Sequence, residues 1–378
     1  MSGGGFARQP ETHRPFVDAP RRMPLRAARG AYDFWRNMID LILYGYQGPN
    51  QFPDGTIPAR VTACHRDRYE LVCERGECGA HLKRSVRFPD VPTTGDFVAL
   101  QFNPLGDGAI TQLLPRKTAF LRLDSFTGRP QAVAANFNYV FLATSLNDDF
   151  NVRRLERYYA LALESGAQPV FLLTKLDCAV DAPDKIARAE DVAKGAPVVA
   201  ISAVTGEGLE LLADYARPGM TVALLGSSGV GKSTLVNALE GRALMKVNDI
   251  REDDSKGRHT TTYRQLILLR SGALVIDTPG MRELGMWDAA EGVAEVFDDI
   301  AALAAQCKFR DCTHSREPGC AVRRAIEVGA ADRKRVENYL KLKEEADSTA
   351  TKAEILRKKQ EWGKAISKYA RQIKKDKY

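Results

Sequence analysis

The stretch Gly226-Ser227-Ser228-Gly229-Val230-Gly231-Lys232-Ser233, continuing into Thr234, leaves this chain little freedom in what it can fold into. It follows an apolar run at 222–225 that reads as a strand, and it opens a segment at 232–240 with helical spacing. Its glycines let the backbone curl so that successive N–H groups face inward, and the helix start adds positive potential. Such a loop binds phosphate. Lys232 is then expected to reach a β- and γ-phosphate, and Ser233 to set its hydroxyl on Mg²⁺. A glycine-rich turn without a ligand would have no use for the Lys-Ser pair.

Around this loop, apolar strands at 139–143, 170–173, 198–201, 222–225, 266–269 and 274–276 alternate with helical patterns at 152–165, 209–215 and 232–240. Strands that are apolar throughout and separated by helices predict a parallel sheet covered on both faces, with ligands at the carboxyl ends of its strands. Asp277-Thr278-Pro279-Gly280 closes the last of these strands. Asp277 can meet Mg²⁺ through water, and the Gly280 N–H can bond a γ-phosphate. Thr174-Lys175-Leu176-Asp177 ends the strand at 170–173. A carboxylate in the plane of a purine accepts from both the N1–H and the 2-amino group of guanine, whereas adenine has neither donor, so Asp177 would select GTP. Lys175 would lie along the ring face. Ser202-Ala203, after the strand at 198–201, suits a backbone contact to the guanine O6. Alone the four residues from Thr174 read as an ordinary loop; beside a phosphate loop they acquire meaning.

These four elements make a guanine-nucleotide signature, but the base-reading pair at 174 and 202 precedes the phosphate loop at 226, the reverse of the usual order. Circular permutation of a sheet whose old termini lie close together produces this order. As a result, the segment after Asp277 leads straight into the C-terminal region. The arrangement resembles the ribosome small subunit-dependent GTPase family. The most specific wording is Ala134-Ala135-Asn136-Phe137, Leu146-Asn147-Asp148-Asp149-Phe150 and Gly257-Arg258-His259-Thr260-Thr261-Thr262. The resemblance runs from about residue 50 to 345. It implies an N-terminal oligonucleotide-binding barrel, a circularly permuted P-loop GTPase domain and a C-terminal zinc domain. It also implies binding to the 30S ribosomal subunit and its 16S rRNA late in maturation, with GTP hydrolysis stimulated by that subunit. Composition and spacing say nothing of this partner.

Two departures bear on chemistry. Thr174 stands where many GTPases have Asn, which shortens its reach to the phosphate loop. Met281 follows Gly280 where Ras-like proteins place the Gln that orients the attacking water. Methionine cannot do this, so intrinsic hydrolysis should be slow and should depend on a group from the partner or from the threonine loop. His259 is the candidate, against the plainer reading of an exposed loop histidine. One of Thr260 to Thr262 should coordinate Mg²⁺, and Thr261 is chosen among them.

Cys307, Cys312, His314 and Cys320 fall within 14 residues as C-x4-C-x-H-x5-C. Three thiolates and one imidazole fill a tetrahedral zinc shell and leave no position for water, which makes such a site structural. The spacing departs from the common C-x2-C knuckle, and the family resemblance supplies the rest. Cys64, Cys73, Cys78 and Cys178 complete the seven. With His65 and His81 a second metal site can be drawn, but cysteines on strands are more often small core fillers.

Residues 55–115 change to short alternating segments such as Ile57, Ala59, Val61 and Tyr69, Leu71, Cys73. They predict a small β-barrel, of oligonucleotide-binding (OB) or SH3-like type. The fold class is thus multidomain. The expected units are a basic, disordered arm at 1–50, an OB-fold barrel at 51–118, a permuted GTPase domain at 119–288, a helical zinc-binding domain at 289–345 and a basic tail at 346–378. Residues 331–378 hold 15 Lys and Arg against 8 Asp and Glu, a surplus equal to the chain's whole net charge of +7. Residues 1–30 add 6 Arg against 2 acids, which leaves 31–330 mildly acidic. Basic ends on such a body suit a polyanion, although a solvated basic helix would look the same. No apolar run approaches the roughly 20 residues that span a bilayer. Seven cysteines without an export pattern fit a reduced cytoplasmic setting, and no heptad run suggests self-association. Two other functions fit part of this pattern: an RNA-binding module that holds GTP without hydrolysing it, and a P-loop kinase, whose need for adenine conflicts with Asp177.

Overall fold

The computed structural model describes residues 38–48, 52–88, 90–124, 127–245, 265–277, 284–286, 289–349 and 351. The chain divides into two units, Met1–Met38 and Ile39–Tyr378, and every described strand and helix belongs to the second. Residues 1–37 of the expected arm, and the tail beyond 351, lie outside the described residues. The arm's expected bounds of 1–50 are corrected at their far end: residues 38–48 are ordered, with a 3₁₀ turn at Leu41–Tyr44 whose Leu41 and Tyr44 are buried in the core.

Five short strands form the barrel: β1 (Ile57–Cys64), β2 (Tyr69–Cys73), β3 (Gly76–Leu82), β4 (Phe97–Gln101) and β5 (Gly108–Leu113). They pair in the order β1-β2-β3-β5-β4, with β3 and β5 parallel, and β4 returns to β1 to close the ring. This closed five-stranded order is the OB arrangement, and it sets the SH3-like alternative aside. Closure leaves no free edge and surrounds a small core of Val61, Leu71, Val98, Leu100 and Ile110. Sequence patterning missed β3 and β5, because Gly76, Gly79 and Gly108 interrupt their alternation.

The hairpin β6 (Ala119–Leu123) and β7 (Pro130–Ala135) leads into the larger sheet. That sheet holds β8 (Tyr139–Ser145), β9 (Gln168–Thr174), β10 (Val198–Ala200), β11 (Thr221–Gly226), β12 (Gln265–Leu268) and β13 (Leu274–Asp277). The spatial order is β10-β9-β8-β11-β13-β12, five parallel strands with β12 antiparallel at the end. The expectation of a wholly parallel sheet is corrected here: β12 and β13 are joined by a tight turn at Ser271-Gly272, which allows only antiparallel pairing.

Helices α1 (Val152–Glu164) and α2 (Ala182–Ala193) lie on one face, packing Leu155, Tyr159, Ala189 and Val192 against Val140, Leu142, Phe171 and Leu225. Helix α3 (Lys232–Glu240) covers the other with Leu235 and Val236 against Phe141, Leu172, Leu224 and Val275. Alternate strand residues serve the two faces, as pleating requires. The helix expected at 209–215 is instead a single 3₁₀ turn, Leu209–Leu212, because Pro218 and Gly219 end the connection before β11. Sequence patterning also missed α2, whose buried stripe is only Ala189, Val192 and Ala193.

The C-terminal helices are α4 (Ala290–Val296), α5 (Asp298–Ala304), α6 (Ala321–Glu327) and α7 at 333–349. Their Val293, Phe297, Ile300, Val336, Tyr339 and Leu342 belong to the same core as α1. Barrel and sheet meet at Ala63–Gln265, beyond a bulge in β1, and around Arg60. Arg60 is fully buried and donates to the carbonyls of Tyr44, Gly95 and Asn136 and to the Thr221 hydroxyl. Burial pulls its pKa down to about 9, with Asp96 opposing the shift. Gly95, at φ +93°, is required in this contact, since a Cβ would stand 2.0 Å from the Ala135 oxygen. Among the described residues no helix is long and apolar enough to cross a membrane.

Candidate functional site

β11 delivers Gly226 at its carboxyl end, and Gly231 caps α3 at φ +102°, a conformation open to glycine and closed to most side chains. The loop between them carries the phosphate-binding sequence. Lys232 lies folded over it, its Nζ donating to Gly226 O at 2.8 Å and Ser227 O at 2.7 Å. Ser233 and Thr234 follow in the first turn of α3. Asp277, at the end of β13, is half-buried; burial pushes its carboxyl up, and nearby Lys232 pulls it the other way.

β9 lies two strands from β11 and brings the base-reading sequence to the same end of the sheet. The buried Thr174 hydroxyl donates to Val230 O, inside the phosphate loop, at 2.6 Å. The shorter side chain therefore still spans the gap. Lys175 turns the chain with φ +59°, and Leu176 N–H bonds Ile201 O at 3.0 Å, which brings in the loop after β10. There the buried Ser202 hydroxyl donates to Asp177 Oδ1 at 2.6 Å, and the Cys178 thiol donates to Oδ2 at 3.2 Å. Ser202, and after it Cys178, hold the exposed Asp177 carboxyl below the usual carboxylate range, so it is an ionised acceptor at neutral pH. Ala203 follows in the same loop, half-buried. Of the four signature elements, three loops are in direct contact, and Asp277 feels Lys232. His259, Thr261 and Gly280 lie outside the described residues.

A fourth loop, 146–151, lies between β8 and α1; the sequence singled out 146–150 only as family wording and gave it no place in the site. Leu146 N–H bonds Thr174 O at 2.8 Å, and Asp149 accepts from the Ser227 hydroxyl at 3.2 Å. Arg154 fixes Asp149 by a fork of 2.8 and 3.1 Å, and Asn147 organises the turn by accepting from Ser145 Oγ and Asp149 N–H. The local signal for a structural role was the polar cluster Asn147, Asp148 and Asp149 shortly before the helix cap at Asn151.

Cys307, Cys312, His314 and Cys320 place one ligand atom each within 4.8 Å of one another, on turns and at the cap of α6. The Cys307–Cys320 sulfur separation is 3.9 Å, and His314 Nδ1 stands 3.5 Å from each of those sulfurs. A tetrahedral zinc with ordinary Zn–S and Zn–N lengths requires roughly 3.8 Å and 3.6 Å for these edges. Burial, and behind it Lys343, holds the His314 imidazole below its ordinary pKa, in the neutral form a metal takes. Among the described residues this is the one such group of cysteines, histidines and carboxylates. His65 bonds Glu70, and His81 bonds Asp67 O and Asp107.

A mostly parallel sheet with a phosphate loop, and with base-reading loops that come earlier in the chain, defines a circularly permuted P-loop GTPase. The family model described as RsgA GTPase matches residues 113–287. The small ribosomal subunit biogenesis GTPase RsgA 2 of Lactiplantibacillus plantarum is 45% identical over 316 residues, 81% of this chain and 89% of that one. RsgA of Opitutus terrae is 46% identical over 305 residues, 76% of this chain and 83% of that one. This chain belongs to the RsgA family of small ribosomal subunit biogenesis GTPases. Among solved structures, YjeQ from Thermotoga maritima is similar with a TM-score of 0.56 and 28% identity, covering 77% of this chain and 98% of that one. YloQ, described as a circularly permuted GTPase, shares the fold with a TM-score of 0.52 and 24% identity over 80% of this chain and 98% of that one.

Proposed function

We propose that this chain binds GTP across the carboxyl ends of β9, β10 and β11, hydrolyses it slowly alone, and hydrolyses it faster on the small ribosomal subunit late in maturation. The observation that carries this reading is the Thr174–Val230 bond: the base-reading and phosphate-binding sequences, 56 residues apart, are parts of one surface. On it, Asp177 takes the guanine N1–H and 2-amino donors, Lys175 and Leu176 flank the ring, and Ser202-Ala203 meets O6. Gly226 to Gly231 wrap the phosphates, Lys232 moves from its own loop's carbonyls to the β- and γ-oxygens, and Thr234 closes the loop. Ser233, Asp277 and Thr261 would hold Mg²⁺, which neutralises charge on the β- and γ-oxygens. Gly280 answers to the γ-phosphate, and His259 orients the attacking water.

Cys307, Cys312, His314 and Cys320 would hold one structural zinc, and their edge lengths support it. The basic surplus at 331–378 supports contact with 16S rRNA, and phosphate contacts of that kind weaken steeply with salt. The other units run 51–118, 119–288, 289–345 and 346–378, in a monomer acting in the cytoplasm. Single-turnover hydrolysis with and without purified 30S subunits tests the reading. A rate raised by the subunit and inhibited by salt is expected; an unchanged rate overturns subunit-stimulated action.

A further inference from the structure

A carboxylate at the rim of a loop that binds phosphate opposes the ligand unless another charge answers it. Asp149 is such a group. Its Oδ2 accepts from the Ser227 hydroxyl at 3.2 Å, and the Arg154 guanidinium grips both of its oxygens. Arg154 above all, with Ser227 and Lys175 behind it, holds the carboxyl below its usual range, so the charge is present at neutral pH. The side chains of Asp149 and Arg154 are 48% and 28% exposed, which lets salt screen them.

The loop around Asp149 has other means of keeping its shape. Leu146 is tied at its N–H to Thr174 O and at its carbonyl to the Lys185 ammonium at 2.8 Å. Arg188 lies over the Phe150 ring at 5.4 Å, and Asn151 caps α1 through the Arg154 N–H at 3.1 Å. Asp149 itself is held through its backbone N–H by Asn147. An asparagine at 149 would accept from Ser227 equally well, so the fold alone gives no reason for the charge. Arg154 in turn stands in the first turn of α1, where the helix dipole disfavours a cation and no acidic residue of that turn offsets it.

We propose that the Asp149–Arg154 pair sets how tightly the phosphate loop holds its nucleotide: Arg154 attracts the phosphates, and Asp149 offsets that attraction so that GDP leaves readily after hydrolysis. The pair rests on the reading of Gly226 to Ser233 as the phosphate loop. Opposite charges beside one anion act on it in opposite directions. Removing Arg154 leaves a bare carboxylate at the rim, whereas neutralising Asp149 leaves a bare guanidinium there. Two residues that only propped the loop would weaken binding, or spare it, in both cases.

The test uses the full chain and measures affinity for GDP, affinity for a non-hydrolysable GTP analogue, and the GDP release rate, each at low and at high salt. Arg154→Met should weaken both nucleotides roughly fivefold at low salt and much less at high salt. Asp149→Asn keeps an acceptor for the Ser227 hydroxyl, and should tighten both roughly threefold and slow GDP release by a similar factor. Asp149→Asn combined with Arg154→Met should return affinity to within about twofold of the unaltered chain. Shifts of the same sign in the two single variants, no shift, shifts that ignore salt, or a double variant as weak as Arg154→Met overturns the pair. Lys232→Ala separates this result from the phosphate-loop reading. Loss of nucleotide in Lys232→Ala without the opposed shifts at 149 and 154 removes the pair alone. Nucleotide held at full strength by Lys232→Ala removes the phosphate-loop reading and the pair with it.

Discussion

In the nucleotide cleft, Thr174, Ser202 and Gly226 sit at or just beyond the carboxyl ends of β9, β10 and β11, three parallel strands of one buried sheet. In the C-terminal region, Cys307, Cys312 and His314 hang from turns, and only Cys320 has the footing of a helix cap. The first site inherits its geometry from strand register and a large apolar core, so its loops are in place with hydrogen bonds between them. The second is built from side chains on short helices, and an ion would have to balance three thiolates brought together. Structural zinc commonly contributes on the order of 10 kcal/mol of folding free energy in small domains. One region is scaffold first and ligand second, and for the other the order is reversed.

This contrast yields four expected results. Cys312→Ser should lower zinc from about one per chain to near zero and make the C-terminal helices sensitive to protease, while nucleotide binding persists. Metal analysis and limited proteolysis check it, and loss of GTP binding in the same variant would break the separation between the regions. Lys232→Ala should lower turnover by about two orders of magnitude or more with the melting temperature little changed, since its bonds to Gly226 and Ser227 are only part-buried. Asp177→Asn should weaken GTP and relax the choice of base, by about tenfold to a hundredfold in a competition assay against xanthine and inosine nucleotides. Undiminished preference for guanine would remove Asp177 from the pocket. Thr174→Val keeps shape but deletes the bond to Val230 O, and should cost about 1 kcal/mol, seen as a small loss of both nucleotide affinity and thermal stability. A loss in stability alone would mean that the base and phosphate loops are not coupled.

Glycine and charge chemistry made much of the cleft readable in advance. Gly226 to Ser233, Thr174 to Asp177 and Ser202 are contiguous words whose chemistry is local, and the strands that present them are apolar along their length. The four zinc-type ligands are equally local, within 14 residues. Where local chemistry was weak, patterning failed. The glycines of β3 hid a barrel strand, the narrow Ala189–Val192–Ala193 stripe hid α2, and Leu209–Leu212 has helix-forming residues in a connection too short for a helix.

From its sequence alone, this chain is committed to a glycine-rich loop opening a helix, a Thr-Lys-Leu-Asp loop placed ahead of it, and a Cys3His cluster, because each depends on residue types at fixed short spacing. Tertiary structure alone decided the partners: Arg60 with Tyr44, Gly95, Asn136 and Thr221, Asp149 with Ser227, and Arg157 with Leu284 and Glu345. A charged side chain carries no record in its neighbours along the chain of which distant carbonyl will satisfy it. That choice is made when the elements pack, and most firmly at Arg60, where burial removes water and leaves the nearest acceptors to take its place.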